Sequence, residues 1–424
     1  MLEINKIKAN TADIINSLKK RGIDVEKNIN LILKLDKQRI LTQQQLDKLL
    51  TEGNQIAKKI GELAKRGQLD NISEFKHRAS EIKAKSKDLV EIGKKIELDI
   101  KNILTQIPNT PHKSVPIGKN EKDNIIEMEW GVKKSSEGLL PHWELADKYD
   151  IIDFKKGAEI TGSGFPLYKG MGAQLQRALI NFFLEYNTNA GYTEYIPPYF
   201  VNEQSAFNTG QLPDKEGMMY HIQDDNLYVI PTAEVPITNM FSNSKFNISD
   251  LPIKCTAYSP CFRREAGSYG KEVRGLNRLH QFDKVEIVEI CDPEESYTAL
   301  NRMVQHVSNL LKKLGLTFRI LKLCTADLGF TASLTYDFEI YAPAQKKWLE
   351  VSSVSNFETY QANRLKLKYQ NADDSGLCHT LNGSSLALPR IIVGLLEENQ
   401  RKNSIIMPEN LLKYLTFEKI SVSQ

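Results

Sequence analysis

The sequence predicts an α+β protein, in which a largely antiparallel sheet flanked by helices follows a long antiparallel helical hairpin. Three observations predict it. Apolar residues recur at heptad spacing over about 27–104. Proline and glycine return abruptly after Leu104, in "IPNTPHKSVPIG". Beyond that point short β-rich runs follow one another across loops or hairpin-length turns, with no regular βαβ alternation.

A chain of 424 residues exceeds one ordinary core, so two domains are expected, one of them large. The boundaries read as a helical arm domain over 1–104, a linker over 105–118 with Pro108, Pro111 and Pro116, and a larger domain over 119–424. The cysteines at 255, 261, 291, 324 and 378 show no C-x-x-C spacing and no framework, which fits reduced thiols in a cytoplasmic protein. The N-terminal segment lacks a continuous apolar run and carries Asp13, unlike a secretory signal. No apolar stretch is long enough to span a membrane.

Residues 1 to about 20 read as one helix, with Leu2, Ile4, Ile7, Ile14, Ile15 and Leu18 on its apolar side and Gly22 as its stop. The hairpin follows. Thr42, Leu46, Leu49, Gly53, Ile56, Ile60 and Leu63 form one heptad seam. Phe75, Ala79, Ile82, Ser86, Leu89, Gly93, Ile96, Ile100 and Ile103 form a second. The polar turn "KRGQLDN" between them folds the two helices back on each other. Each helix of nearly 40 residues would reach about 57 Å. Such an arm has too little core of its own to be globular and must project. Residues 27–104 hold 17 Lys or Arg against 11 Asp or Glu, a net of +6, while the whole chain is only +3. A positive rod suits a phosphate backbone. A solvated, lysine-rich coiled coil would have the same composition.

In the larger domain, strands are expected at 227–230, 254–262, 278–291, 317–324, 335–342 and 348–354. Helices are expected at 171–190, 233–241, 293–314 and 386–401. Neither G-x-G-x-x-G nor G-x-x-x-x-G-K occurs, so a nucleotide site would be neither a Rossmann fold nor a P-loop.

Four segments carry candidate chemistry. "PCFRREAGSYGKEVRGLNRLHQFDKVEIVEI" reads as strand, polar loop, strand. Arg263 and Glu265 share a face of the first strand; Arg278, His280, Phe282, Lys284 and Glu286 share a face of the second. That face fits a triphosphate clamp with an aromatic shelf for a base. It also fits salt-bridge ladders on an exposed sheet. In "KKWLEVSSVSN", Glu350 and Ser352 share a strand face with Ser353 beside them, which suits a divalent ion near phosphates or simply an unpaired Glu. In "HTLNGSSLALPRIIVGLLEENQ", Asn382, Gly383 and Ser384 read as a turn before a helix. Arg390 sits in its first turns, where the dipole opposes a cation unless a ligand or solvent takes the charge. In "VIPTAEVPIT", Thr232 and Glu234 could receive an amine or hydroxyl, and Thr232 could equally cap a helix. Cys378 and His379 are adjacent with no third ligand at a sensible spacing, so no zinc is expected. No G-x-S-x-G motif points to covalent catalysis.

Together these segments resemble one family. "GFPLYKGMGAQLQRALINFF" with "GYTEYIPPYFVN", whose proline is Pro198, is similar to motif 1 of the class II aminoacyl-tRNA synthetases. "CFRREAGSYGKEVRGLNRLHQFDKVE" resembles motif 2, and "LNGSSLALPRIIVGLLEENQ" resembles motif 3. "PTAEVPIT" resembles the serine-site loop of bacterial seryl-tRNA synthetases, and the basic hairpin resembles their N-terminal arm. The resemblance covers nearly the whole chain. It implies a class II antiparallel sheet, a homodimer through motif 1, and a ligase that activates L-serine with ATP. It also implies that the arm grips the long variable arm of tRNA(Ser), and of tRNA(Sec) where that exists.

The resemblance also implies roles. Arg263 would hold the α-phosphate and the serine carboxylate, Glu265 would meet the adenine edge, and Phe282 would stack on the ring. Arg278 and Arg390 would sit on opposite sides of ATP, with Arg390 at the γ-phosphate. Arg264, Val351 and Ser352 belong to the same ATP-binding set, and Glu350 and Ser353 would bind Mg²⁺ between phosphates. Arg263, Arg278, Arg390 and Glu350 form the catalytic set. Thr232, Ala233, Glu234, Glu286 and Ser384 would surround serine with Arg263, and Asn382 would support them. Glu286 is the natural partner of the ammonium; Glu234 and Ser384 suit the hydroxyl. Glu272 and Val273 stand where the family often has Asp and Thr, and Gly164 where Arg is common. Two rival readings remain: a class II ligase for another amino acid, which the "TAE" loop and the arm oppose, and an RNA-binding scaffold, which would have lost some of the four catalytic residues.

Overall fold

The computed structural model describes residues 1–66, 72–265, 274–372 and 374–421. Two compact units divide the chain: Leu2–Pro108, and Asn109–Gln424 together with Met1.

In the first unit, helices Glu26–Lys65 and Ile72–Leu104 pack against each other. Gly53 lies against Ile82 and Lys59 over the Phe75 ring, so the pair runs antiparallel. The helices have 40 and 33 residues, about 60 and 50 Å, so the second is shorter than expected. Of the turn "KRGQLDN", residues 67–71 lie outside the described ones. The heptad seam closes as read: Ile56, Ile82, Ile96 and Ile100 are buried, and the other seam positions are partly buried. Across the flank Arg78 reaches Glu52 at 2.8 Å. The single helix expected over 1–20 is instead two, Ile4–Ala9 and Thr11–Lys19, broken at Asn10 (φ −130°, ψ 39°). Asparagine holds a helix weakly, and the break lets Ile7, Ile14 and Leu18 all be buried. Asp36 on the long helix is fully buried between Lys8 and Arg39. Burial works to raise its pKa, but hydrogen bonds from Lys8 and Arg39 outweigh this and hold the carboxyl below its ordinary value.

The second unit is built on eight strands: β1 (Ile125–Trp130), β2 (Thr193–Glu194), β3 (Ile253–Phe262), β4 (Gln281–Cys291), β5 (Phe318–Lys322), β6 (Leu334–Ala342), β7 (Lys347–Asn356) and β8 (His379–Ala387). Their order is β1-β5-β6-β7-β8-β4-β3-β2, antiparallel except for the short β2–β3 pair at the edge. Helices Met171–Asn189, Ser296–Leu314 and Leu388–Asn399 cover one face, where Val285, Ile287, Val307, Phe338, Leu381 and Ile391 form the main core. Alternation then sends Phe282, Lys284 and Glu286 of β4, and Asn382 and Ser384 of β8, to the opposite face.

Three expectations are corrected. Asn382, Gly383 and Ser384 are not a turn but the middle of β8, paired on both sides: Gly383 faces Ile287 of β4 and Val354 of β7. Local turn preference loses to the packing requirement, because a Cβ at 383 would come within 3.1 Å of the Val354 side chain. β3 stops at Phe262 and β4 starts at Gln281; one further bond, Arg263 N to His280 O at 2.9 Å, extends their pairing, while Glu265 and Arg278 leave the strands, with Glu265 at φ +47°. In β7 a bulge at Val351 breaks the alternation: Ser352 pairs with Phe338 and Glu350 with Glu339. Ser352 therefore falls in step with Val354, and Glu350 shares its face with Ser353 and Ser355 instead. The segment 105–118 also departs from a free linker. From Asn109 it is bonded into the second unit, Asn109 N donating to Phe330 O and His112 N to Ser333 O, both at 2.9 Å.

All five cysteines are free and buried. Among the described residues no helix is long and apolar enough to cross a membrane.

The seam makes a quantitative prediction. Ile82→Ala should cost the hairpin about 2 kcal/mol or more, and Arg78→Ala at the exposed flank less than about 1 kcal/mol. Thermal unfolding followed by helical circular dichroism checks the ordering, and equal losses would contradict the seam assignment.

Candidate functional site

The opposite face of the sheet carries a cavity of about 620 Å³, within the range of ligand pockets, roughly 300–1,000 Å³. Its two ends differ in chemistry.

At one end three guanidinium groups converge. Arg263 lies with its guanidinium carbon 5.2 Å from the centre of the Phe282 ring. Arg278 is ion-paired with Glu265. Arg390 is anchored by backbone carbonyls, its Nε donating to Asn277 O at 3.0 Å and its Nη1 to Glu350 O at 2.7 Å. Burial depresses the Arg390 pKa, Glu350 opposes this, and Arg263 and Arg278 depress it further. Three cations drawn together with too few counter-charges fit a polyanion. Arg390 occupies the third position of helix Leu388–Asn399, against the helix dipole, and its carbonyl contacts hold it there.

At the other end two carboxylates are buried. The Glu234 carboxylate accepts from Gln361 Nε2 at 2.7 Å on one oxygen and from Asn382 Nδ2 at 2.9 Å on the other. The same Asn382 amide donates to Glu286 Oε1 at 3.0 Å. Lys284 forms an ion pair with Glu286 and donates to Thr232 Oγ1 at 2.9 Å. Burial first, and then repulsion from Glu286, push the Glu234 carboxyl up to about 7. Burial also raises Glu286, against the pull of Lys284. Thr232 lines the cavity and its hydroxyl accepts from Glu234 N at 3.2 Å; the N-cap of that helix is Ala233, without a side-chain cap bond, so Thr232 is not the cap.

Between the ends stands Glu350, its side chain 51% exposed and 4.0 Å from Arg390. Ser353 lines the cavity beside it, and Asp337 is Ser353's cross-strand neighbour. Asp337 Oδ1 is buried without a hydrogen-bond partner. Burial and the Glu350 carboxylate hold the Asp337 pKa well above the usual range. Among the described residues no three His, Cys, Asp or Glu side chains form a ready-made metal cluster. A site of one carboxylate and one hydroxyl, with more negative charge behind, instead fits a hard cation that takes its remaining ligands from phosphates and water.

The cavity brings together Thr232, Glu234, Arg263, Glu265, Arg278, Phe282, Glu350, Val351, Ser352, Ser353, Asn382, Ser384 and Arg390. Ala233 is buried off its wall, Arg264 is exposed, and Glu286 lies behind Lys284 and Asn382. His280, expected on the same face as Arg278, is used structurally: it bonds Tyr220 and the Arg263 carbonyl and stacks on Phe165. Its ring also accounts for Gly164, which sits at φ +84°, where a Cβ would come within 2.5 Å of the ring. Glu272 and Val273 lie outside the described residues. Sequence reasoning placed Lys284 on the candidate clamp face without a role of its own, and it missed Gln361, which no pattern marks.

Residues 1–111 match the family described as the seryl-tRNA synthetase N-terminal domain, and residues 220–399 match the class II tRNA synthetase core domain for G, H, P, S and T. The chain is 43% identical to the serine–tRNA ligase of Salinibacter ruber, over 99% of both chains. In structure it is similar to the seryl-tRNA synthetase of Pyrococcus horikoshii complexed with ATP, with a TM-score of 0.90 and 32% identity over 100% of both chains. It is also similar to the cytoplasmic serine–tRNA ligase of Naegleria fowleri in complex with AMP. There the TM-score is 0.86 and the identity 25%, over 100% of this chain and 99% of that one.

The buried carboxylates predict a measurable titration. Because the Glu234 pKa is raised, the group should be protonated at pH 5 and ionised at pH 9, with a midpoint near 7. Carbon-13 NMR of labelled glutamate should show side-chain resonances titrating there, that of buried Glu398 among them, and one of these should be missing in Glu234→Gln. Titration of every resonance below pH 5.5 would contradict this environment.

Proposed function

The chain belongs to the seryl-tRNA synthetase family, and we propose that the cavity on its sheet is where it activates serine. The chain is an ATP-dependent serine–tRNA ligase. The observation that supports this site most is the joining, in one cavity, of three arginines at one end to a buried carboxylate pair at the other. That pairing suits a triphosphate next to a small zwitterion.

ATP lies with its phosphates among Arg263, Arg278 and Arg390. Its base lies against Phe282, near Glu265. Glu350 and Ser353 would hold Mg²⁺, which when bound neutralises phosphate charge. Serine enters the far end. Its carboxylate meets Arg263, and its hydroxyl meets Glu234 and Ser384. Its ammonium approaches Glu286 past Thr232, sharing that carboxylate with Lys284 or displacing it. A serine carboxylate oxygen attacks the α-phosphorus in line, the bond to the β-phosphate bridge breaks, and pyrophosphate leaves. The arginines stabilise charge on the phosphoryl oxygens by fixed position. The 3′-terminal adenosine hydroxyl of tRNA then attacks the activated carbonyl and AMP leaves. No side chain stands out as a general base, and none is needed to place the reactants.

The basic hairpin is the tRNA(Ser) grip, and the tRNA(Sec) grip where that tRNA is made. A homodimer through the motif 1 region fits the large apolar side chains that stand exposed there, Ile196 at 85% and Phe200 at 51% among them. Free buried thiols fit a cytoplasmic enzyme.

Amino-acid-dependent ATP–pyrophosphate exchange tests the reading directly. Serine should support exchange, and threonine and alanine should do so far less; an inert protein would end the proposal. Arg278→Ala and Arg390→Ala should each lower exchange by roughly a hundred-fold or more while the fold survives, as expected of lost transition-state contacts to charge. Parental exchange by either variant would remove that arginine from the clamp.

The two units should also separate in function. Removal of residues 28–103, closed by a short linker, should leave pyrophosphate exchange near parental and collapse charging of tRNA. In the intact enzyme, tRNA affinity should fall steeply with salt, since the arm's net +6 acts on phosphates. Parental charging without the arm would return the hairpin to a solvated coiled coil.

A further inference from the structure

Gln361 is fully buried on helix Thr359–Leu365, outside the motif strings singled out in the sequence, and it does not line the cavity. Both N–H groups and the oxygen of its carboxamide are nonetheless hydrogen-bonded. Nε2 donates to Glu234 Oε1 at 2.7 Å and to Thr209 O at 3.1 Å. Oε1 accepts from Thr380 Oγ1 at 2.7 Å. The Thr209 carbonyl can only accept, so the amide has one orientation, with its N–H groups on Thr209 O and Glu234 and its oxygen toward the Thr380 hydroxyl. Thr380 lies on β8, two residues from Asn382. Thr209 closes helix Glu203–Thr209, two residues before Gln211, which does line the cavity. The amide thus joins a helix end, a central strand and the carboxylate at the amino-acid end.

We propose that Gln361 is a positioning residue for amino-acid recognition, holding the Glu234 carboxylate in the orientation that receives the substrate serine. Two amides fix this carboxylate, one on each oxygen: Gln361 from behind the cavity and Asn382 from its wall. Without Gln361 one oxygen of the carboxylate loses its donor, Asn382 alone orients the group, and Thr209 O is left buried without its donor. The inference rests on Glu234 meeting serine.

The charged groups facing Glu234 are Glu286 and Lys284 from β4 and Arg263 beyond β3. The Gln361 hydrogen bond favours the ionised carboxylate, as do Lys284 and Arg263; burial and Glu286 oppose it. Serine should therefore bind more tightly as pH rises through the Glu234 midpoint, and loss of the Gln361 donor should move that midpoint upward.

The test is pyrophosphate exchange across pH 5.5–9 with the full chain and three variants. Gln361→Met keeps the length of the side chain and removes its polar groups. Thr380→Val removes only the hydroxyl that orients the amide, and it carries the test if Gln361→Met does not fold. Glu234→Gln is the reference. Gln361→Met should raise the serine KM by about ten-fold, the worth of a hydrogen bond to a charged group, and leave the ATP KM within about two-fold. It should also shift the midpoint of the serine pH profile upward. Thr380→Val should shift both in the same direction by less, and Glu234→Gln should remove the pH dependence. If Glu234→Gln raises the serine KM but neither other variant changes the KM or the midpoint, Gln361 has no positioning role. If Glu234→Gln itself leaves serine use and its pH profile at parental values, the placement of Glu234 against serine fails, and the role of Gln361 falls with it.

Discussion

The double pairing of β8 is the constraint on which the site depends. This strand lies between β7 and β4, so its register decides which side chains meet. Ser384 faces Glu286 across one ladder, and Asn382 faces Ser355 across the other. A slip of one residue would send Asn382 and Ser384 into the helical layer and Leu381 into the cavity. The register is secured on the buried face, where Leu381, Val354 and Ile287 pack around Gly383. The polar site is therefore held by the apolar face beneath it. Helix Leu388–Asn399 continues directly from β8, so the register that sets Ser384 against Glu286 also sets where Arg390 enters the cavity.

Electrostatics divides the cavity into two problems with different solutions. At the arginine end the groups are charged and share few counter-charges, and burial, Arg263 and Arg278 depress the pKa of Arg390. That arrangement is unfavourable until an anion arrives, and its favourable half is supplied by the ligand. At the carboxylate end the protein supplies its own compensation: Lys284 for Glu286, and two amides for Glu234. A buried carboxylate without such donors would cost several kcal/mol and would take up a proton instead. On the proposed reading the first end gains by being incomplete, because a triphosphate brings enough charge to complete it, and the second cannot be left incomplete, because serine is small and nearly neutral overall.

Much of the fold was legible because its signals are periodic. Heptads at Ile56, Ile82 and Ile96 gave the hairpin, and alternation over 281–291 gave the central strand. The site was legible where residue types are uncommon on a strand face, as at Phe282 and Lys284, and the resemblance then supplied the arginines. What escaped has physical causes. Asn382-Gly383-Ser384 carries turn chemistry, and only contact with Val354, distant in sequence, makes a strand of it. The bulge at Val351 lies in the pairing with β6, so parity counting put Glu350 with Ser352 instead of Ser353. Glu265 looked like a ladder residue because β3 runs up to Arg263, whose N still donates to His280 O, but the backbone turns away at Glu265, at φ +47°. Gln361 has no local signal at all; its partners are 127 and 152 residues before it and 19 after it.

The same polar network bears on selectivity. A hydrophobic pocket distinguishes molecules that differ by one hydroxyl only weakly, by roughly a hundred-fold. A pocket built from fixed acceptors does better against an analogue that lacks the hydroxyl, because such an analogue leaves a buried carboxylate unpaired. On the proposed reading Glu234 is that acceptor, so alanine is refused by what it cannot satisfy. Threonine brings the hydroxyl and is not refused on this ground. Its extra methyl must meet a wall that does not yield, and the walls here are strand residues clamped on both sides. Asn382 is held by two carboxylates, and Ser352 donates to the Ser384 carbonyl at 2.6 Å. On the same reading, rigidity in the second unit's sheet is a means of excluding the larger substrate. It is the same rigidity that keeps the acceptor in place for the smaller one.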